Sequence, residues 1–468
     1  MDGGDSTSPV AVDLLVEGDW VITIDPTRRM IRDGAVAVHE GRIVDVGTAR
    51  SLRERWAPTE RIGGRNRIVL PGFVNAHQHL TGDRLVRSAI PDDLAPGASI
   101  FTWAVPIHAA HTPDDDELSA TAGLAEAVGN GITFTVEAGT VAHPDRVLAG
   151  FERVGVGGTL GSWGWDATGQ PWAGSVDEVL ARQREVLALT SGHDSVHGWV
   201  TLVGHDLMSD ELVVAASELA RSAGTGLTFH LSPTDSDPAS YLARTGLRPL
   251  VHLDRLGALG DHVLVAHGVH LDGAELDVLL ATRTALAYCP WAYLRLGQGV
   301  TGAGRHAELL ERGGRVALGC DAENAADAID VLRAATLAAG LAKDARVDPT
   351  RFGAHTALEL ATIGGAAAIG MDHEIGSLEV GKRADLVLVD TDRAEFTPAS
   401  PDPVLPLVWA TDGRAVAEVV VGGRVVVRAG VCVTVDHDEL RANTLEARDR
   451  LLRAAGLTPG PRWPVEPD

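Results

Sequence analysis

Cysteine is almost missing from this chain. Cys289, Cys320 and Cys432 are scattered, odd in number and without C-x-x-C spacing, so neither a disulfide framework nor a thiolate zinc site is indicated, and a reducing compartment fits. Long apolar runs are missing too. None reaches the ~18 residues of a membrane span, and the amino-terminal MDGGDSTSPV has no basic segment followed by an apolar one. The expectation is a cytoplasmic protein with no membrane partner. Positive charge is the third shortage: 40 Lys and Arg stand against 64 Asp and Glu, a formal charge of −24. That balance excludes phosphate backbones as partners, since nucleic-acid binders present basic faces.

What is present is a large globular chain. With 468 residues and 45% apolar content it can bury a sizeable core in one big domain and a smaller one. From about residue 66 to 374, short apolar runs alternate with amphipathic segments, the pattern of βα units. Eight runs read as strands: 68–79, 133–139, 156–163, 196–204, 226–231, 263–268, 284–290 and 315–322. Helix-like stretches lie between them, such as PDDDELSATAGLAEAVGNG after Thr112, which has a capping residue and an acidic first turn. Eight strands alternating with helices predict a (β/α)8 barrel, whose chemistry gathers at the carboxyl ends of the strands. The flanks, 1–65 and 375–468, alternate apolar and polar residues around Gly and Asp turns and read as β-hairpins. Neither is long enough to stand alone, so a single β-sandwich domain built from both chain ends is expected. The tail after Asp436 reads as a surface helix.

Histidine and aspartate fall where the barrel needs them. In PGFVNAHQHL, His77 and His79 are two apart at a strand end, a spacing that sends both side chains to one side. Imidazole nitrogens aimed at one point suit a metal ion, which binds them at about 2.0–2.1 Å. His230 ends the fifth run, His267 the sixth and Asp321 the eighth. A lone histidine at a strand end is more often a satisfied polar residue than a ligand. Five metal-compatible side chains at the ends of four strands turn that balance towards a metal centre.

Six motifs, PGFVNAHQHL, HLS at 230, AHGVHL at 267, CP with LRLGQGV, GCDAENAAD at 321 and GSLEVGKRADLVLVD at 376, identify the chain as a member of the amidohydrolase superfamily. They resemble its cytosine deaminase, triazine hydrolase and adenosylhomocysteine deaminase branch. The resemblance implies that His77, His79, His230 and Asp321 hold the metal and that His267 hydrogen-bonds water or substrate. Binuclear relatives bridge two ions with a carboxylated lysine on a barrel strand. The two lysines here, Lys343 and Lys382, lie in a helical stretch and in the flank, so one divalent ion per chain is expected, zinc first, with iron, cobalt and manganese compatible.

Two departures shape the expected reaction. Deaminases of the branch carry a proton-shuttling glutamate three residues after the strand-five histidine, where this chain has Pro233, and a histidine in strand seven, where it has Tyr288. A proline side chain neither donates nor accepts a proton. Asp235 and Asp237 follow and are candidates to replace the shuttle in the aminohydrolase alternative, but they read more readily as surface turn residues. Ring deamination needs a proton delivered to nitrogen, so an open-chain urea, carbamate or thiocarbamate is the expected substrate, a pattern similar to the phenylurea hydrolases and molinate hydrolase. In that reading Asp321 takes the water's proton, His267 steadies water or oxyanion, and Tyr288 and Asn324 hydrogen-bond the substrate. The alternatives are an aminohydrolase or dechlorinase of a nucleobase-like or triazine ring, and a catalytically silent metal-binding homologue. Trp103, Trp163, Trp165, Trp172 and Trp291 fall at or after strand ends. They are candidate walls of a pocket for a small apolar or aromatic substrate, with core packing equally open to each. A homo-oligomer is expected from the resemblance.

Overall fold

The computed structural model describes residues 9–95 and 97–466. Parallel strands form a closed barrel in sequence order: Phe73–Gln78, Ile132–Glu137, Gly157–Leu160, a fourth in two pieces (Val196–Gly198 and Val200–Gly204), Leu227–Leu231, Val263–His267, Ala285–Tyr288 and Val316–Leu318. The fourth strand breaks at Trp199, whose N–H donates to the Leu160 carbonyl while the following residues pair with the fifth strand. The barrel closes where the N–H groups of Cys320 and Asp321 both donate to the His77 carbonyl, at 3.1 and 2.9 Å. That closure sets the end of the eighth strand directly against the two histidines of the first.

The strand interiors explain which side chains point where. Val74, Ala76, Phe134, Val136, Leu264, Ala266, Ala285, Ala287 and Ala317, from five strands, share one buried cluster. Small residues filling the axis of an eight-stranded barrel produce such a cluster. The alternate residues of the same strands, Val263, Val265, Leu286 and Leu318, pack outward against the helices. The helix Pro113–Gly129 shows how locally the helical layer is written. Thr112 and Asp115 form a reciprocal capping box, and three aspartates occupy the first turn.

An eight-stranded sheet lies beside the barrel and draws on both ends of the chain. Its order is Val431–Cys432, Arg424–Arg428, Val416–Val421, Leu386–Asp390, Trp56–Pro71, Val10–Ile22, Met30–His39 and Arg42–Thr48. The run expected as one strand over 68–79 is therefore two. Residues up to Pro71 belong to this sheet, past the expected boundary at 65, and the barrel starts at Phe73. The break falls at Gly72, where a Cβ would sit 2.1 Å from Thr133 Oγ1 and only glycine fits. The tail helix His437–Ala454 buries Ala447, Leu451 and Leu452 against Leu85, Val86 and Ile107, with Trp103 alongside. It thus backs the long loop after the first barrel strand. Among the described residues no helix is long and apolar enough to cross a membrane.

Candidate metal centre

Five side chains meet at the carboxyl end of the barrel. His79 Nε2 and His230 Nε2 are 3.2 Å apart, and Asp321 Oδ1 lies 3.6 Å from His77 Nε2 and 3.5 Å from His79 Nε2. Donor atoms of His77, His230 and His267 lie within 4.8 Å of one another, as do those of His77, His79 and Asp321. The His77 ring sits edge-on to the rings of His79, His230 and His267, at 5.2, 4.8 and 5.1 Å.

This cluster fits a divalent cation on its own evidence. Both ring nitrogens of His77 and Nδ1 of His267 are buried and have no hydrogen-bond partner, a cost no fold accepts without a reason. Burial holds His77, His79 and His267 far below the usual imidazole range and takes His230 down to about 4. All four are therefore neutral at pH 7, with lone pairs free for an ion. The other nitrogens are tied back. His230 Nδ1 donates to the Val203 carbonyl at 2.7 Å, and His79 Nδ1 pairs with the Thr140 hydroxyl at 2.9 Å. Each contact leaves Nε2 as the donor turned to the centre, the usual arrangement of histidine ligands. Thr140 is itself fixed, since its N–H donates to Glu137 Oε1 at 3.4 Å and its carbonyl accepts from the Thr81 hydroxyl at 2.7 Å.

Backbone strain occurs here too. His267 and Asp321 take φ of +80° and +68°, two of sixteen non-glycine residues with positive φ among the described residues, most of them outside this cluster. The His267 carbonyl accepts from His306 Nε2 at 2.7 Å and from the Tyr293 hydroxyl at 3.4 Å, which holds that conformation. His205, at φ +57°, shares it at the end of the fourth strand.

The sequence-predicted residues divide. His77, His79, His230, His267 and Asp321 converge. Tyr288 does not join them: its parity on the seventh strand, with Leu286, turns it outward, where its ring stacks on His306 at 4.0 Å. Asn324 enters through its backbone, donating N–H to Asp83 at 2.6 Å. Asp235 is exposed, as expected of a turn. Asp237 is not a surface residue. It is 6% exposed, accepts from the Ser232 N–H at 2.7 Å and accepts from His205 Nδ1 at 2.9 Å.

Other residues went unread in the sequence. His205 stacks on His230 at 5.6 Å, and its signal was available, because it follows the apolar run VTLVG as His267 follows VLVA. Cys289 groups with His267 and Asp321, and burial pushes its thiol far above the usual range, so it stays protonated. His108, held neutral by burial with its pKa down to about 3, stands edge-on to Trp163 at 5.4 Å. Trp163 continues into a stack with Trp165 at 5.1 Å and Trp172 at 5.0 Å. Trp103 instead packs beside the tail helix, and Trp291 lies under the Arg333 guanidinium at 3.6 Å.

With the geometry in hand, comparison with known proteins is decisive about kinship. The amidohydrolase family profile matches residues 68–426. The chain belongs to the amidohydrolase family. It is thereby a metal-dependent hydrolase acting on carbon–nitrogen bonds. A 5-methylthioadenosine/S-adenosylhomocysteine deaminase from Moorella thermoacetica is 31% identical over 418 residues, covering 88% of this chain and 94% of its own. The protein of the same name from Pelotomaculum thermopropionicum is 30% identical over 445 residues, covering 94% and 98%. Among solved structures, an adenosine deaminase from Xanthomonas campestris with bound zinc superposes with a TM-score of 0.90 at 29% identity, over 95% of this chain and 100% of its own. An atrazine chlorohydrolase from Arthrobacter aurescens, complexed with zinc, shares the fold with a TM-score of 0.80 at 24% identity, over 93% and 100%.

Proposed function

We propose that this amidohydrolase is a mononuclear aminohydrolase that replaces the exocyclic amino group of an aminopurine-like ring with oxygen and releases ammonia. The observation that carries the hydrolytic part is the buried cluster of four neutral histidines with orphaned nitrogens around the Asp321 carboxylate. The substrate class rests on relatives named as deaminases of purine nucleosides, which favour the aminohydrolase alternative over the phenylurea reading expected from Pro233. Trp163, Trp165 and Trp172 stack on one another with His108 at the edge, and Trp163 and Trp165 are buried at 3% and 1% exposure.

His77, His79, His230 and Asp321 would hold the ion, with His267 beside them, and zinc suits this nitrogen-rich set. Such an ion supplies a water of lowered pKa and polarises the carbon under attack. The residues of the chain do the rest. The Val203 carbonyl keeps the His230 proton on Nδ1, and the Thr140 hydroxyl holds the His79 ring in place through its Nδ1. Ala322 N–H donates to Asp321 Oδ1 at 2.8 Å, which leaves Oδ2 to take the proton of the attacking water. The replacement of glutamate by Pro233 keeps one competitor open: an aryl urea whose leaving amine needs less protonation.

The test is a substrate panel on metal-loaded protein: adenosine, 5-methylthioadenosine, S-adenosylhomocysteine, cytosine, aminotriazines and aryl ureas, read for ammonia and for aniline. Ammonia from the aminopurines as the fastest reaction is expected. Aniline from the ureas with no ammonia from any ring overturns the reading in favour of the competitor.

A further inference from the structure

Deamination has a requirement that the proposed aminohydrolase reading leaves unmet. The amino nitrogen departs only as ammonia, so a proton must reach it, and Pro233 cannot carry one. One group at the centre is built to do so. His205 follows the fourth strand, and its ring lies nearly parallel to that of His230, 21° between planes and 5.6 Å between centroids. It shares the left-handed backbone of His267 and Asp321, with φ +57°. Such strain at a non-glycine residue persists only where surrounding contacts enforce it, and here they are explicit: the His205 N–H donates to the His230 carbonyl at 2.7 Å.

Its side chain is oriented from the other direction. Nδ1–H donates to Asp237 Oδ2 at 2.9 Å, and that same oxygen accepts the Ser232 N–H at 2.7 Å. Asp237 is thus anchored to the strand-five turn next to Pro233, while its helix, Ser236–Thr245, starts just before it. With Nδ1 committed as a donor, His205 keeps the lone pair of Nε2 free of that contact, and its side chain is 21% accessible. A buried carboxylate that fixes an imidazole tautomer is the orienting device of acid–base catalysis on many folds.

We propose that His205, oriented by Asp237, is the catalytic acid–base residue that replaces the missing glutamate. Resting on the aminohydrolase reading, the step balances without a further reactant. Water attacks the amine-bearing carbon and a C–O bond forms. The proton released is taken by Asp321, His205 Nε2 takes up a proton from solvent and delivers it to the amino nitrogen, and Asp321 returns its proton to solvent. The C–N bond breaks, ammonia leaves, and the hydroxyl left on the ring tautomerises to a carbonyl. Asp237 is a positioning residue: it touches no reacting atom and acts by holding the tautomer.

The experiment compares wild type with His205→Phe, His205→Asn, Asp237→Ala, Asp237→Asn and His230→Ala. Each variant is measured for metal per chain, for steady-state kinetics on the best ammonia-releasing substrate, and, metal-free, for imidazole 15N shifts. His205→Phe keeps the stack on His230 and should bind metal as wild type does, while kcat falls ~10²–10⁴-fold and KM stays within a few-fold. His230→Ala should lose the metal. Wild type should show His205 with the proton on Nδ1. Asp237→Ala should lose that signature together with kcat, and Asp237→Asn, whose amide oxygen can accept both hydrogen bonds, should restore a substantial part of each. Normal kcat in both His205 variants overturns the inference while leaving the aminohydrolase reading intact. Loss of metal in His205→Phe overturns it also, by making His205 a ligand. If wild type releases no ammonia from any ring, the functional reading itself is what fails.

Discussion

Gly319 offers a severe test of the metal centre because it is neither a ligand nor near solvent. It follows the eighth barrel strand, and a Cβ built on it would lie 2.8 Å from Cys289 Sγ, 2.9 Å from His77 Cβ and 3.2 Å from the His77 nitrogen. Ordinary contacts between heavy atoms fall at about 3.5–4.0 Å, so Gly319→Ala demands an opening of roughly 0.5–1 Å between the first and eighth strands. Overpacking of this kind costs about 1–3 kcal/mol. The damage to the centre should exceed the damage to the fold, because a site loosened by about 0.5 Å loses its geometry. We expect metal retention to drop ~10–100-fold, the scale seen when the support of a ligand is altered. The assay is metal per chain after dialysis against graded chelator, beside thermal unfolding of the metal-free protein. A control separates the two neighbours: Cys289→Ala added to Gly319→Ala removes the sulfur contact and should recover part of the stability, but not the metal, since His77 still meets the methyl. Wild-type metal retention and wild-type unfolding in Gly319→Ala would refute the closure of the barrel on His77.

Three further outcomes follow from the same geometry. Asp321→Asn should lower turnover by roughly 10²-fold or more with little loss of folding; near-normal rates would remove Asp321 from proton transfer. Thr140→Val, which deletes the hydroxyl on His79 Nδ1, should weaken metal binding ~10-fold in a competitive chelator titration, and unchanged affinity would count against its role in positioning His79. Burial, with His111 close by and the Asp116 carboxylate opposing it, takes His108 from 6.5 to about 3. A lowered histidine contributes stability that is complete above the unfolded value and is lost as pH falls towards the folded one. Denaturant unfolding of the metal-free chain should therefore show about 2 kcal/mol lost between pH 7 and pH 5 from this residue. His108→Gln should flatten that limb, and an identical slope in the variant would refute the assignment.

Much of the centre was legible in the sequence because its grammar is local. A strand is written by a short apolar run, and the residue that ends the run lands at the mouth of the barrel, so His77, His79, His230, His267 and Asp321 could be read one at a time. The capping box at Thr112 and the tail helix after Asp436 are written equally locally. What could not be read depends on contacts between distant segments. The run 68–79 divides at Gly72 because the chain changes partners there, Pro71 pairing with Leu386 and the Phe73 N–H donating to the Gly131 carbonyl some sixty residues on. Tyr288 was expected in the site, but the parity of a buried strand is invisible when both faces are apolar. Asp237 read as a turn residue because acidic residues after a strand are normally solvated. Only the pairing of the fourth and fifth strands brings His205 to it, across 32 positions, and turns a surface carboxylate into a buried hydrogen-bond acceptor. Local sequence determined which atoms stand at the strand ends. Tertiary structure decided which of them meet, because a hydrogen bond or a shared ion acts over about 3 Å, and only the closed barrel brings residues far apart in the chain to that distance.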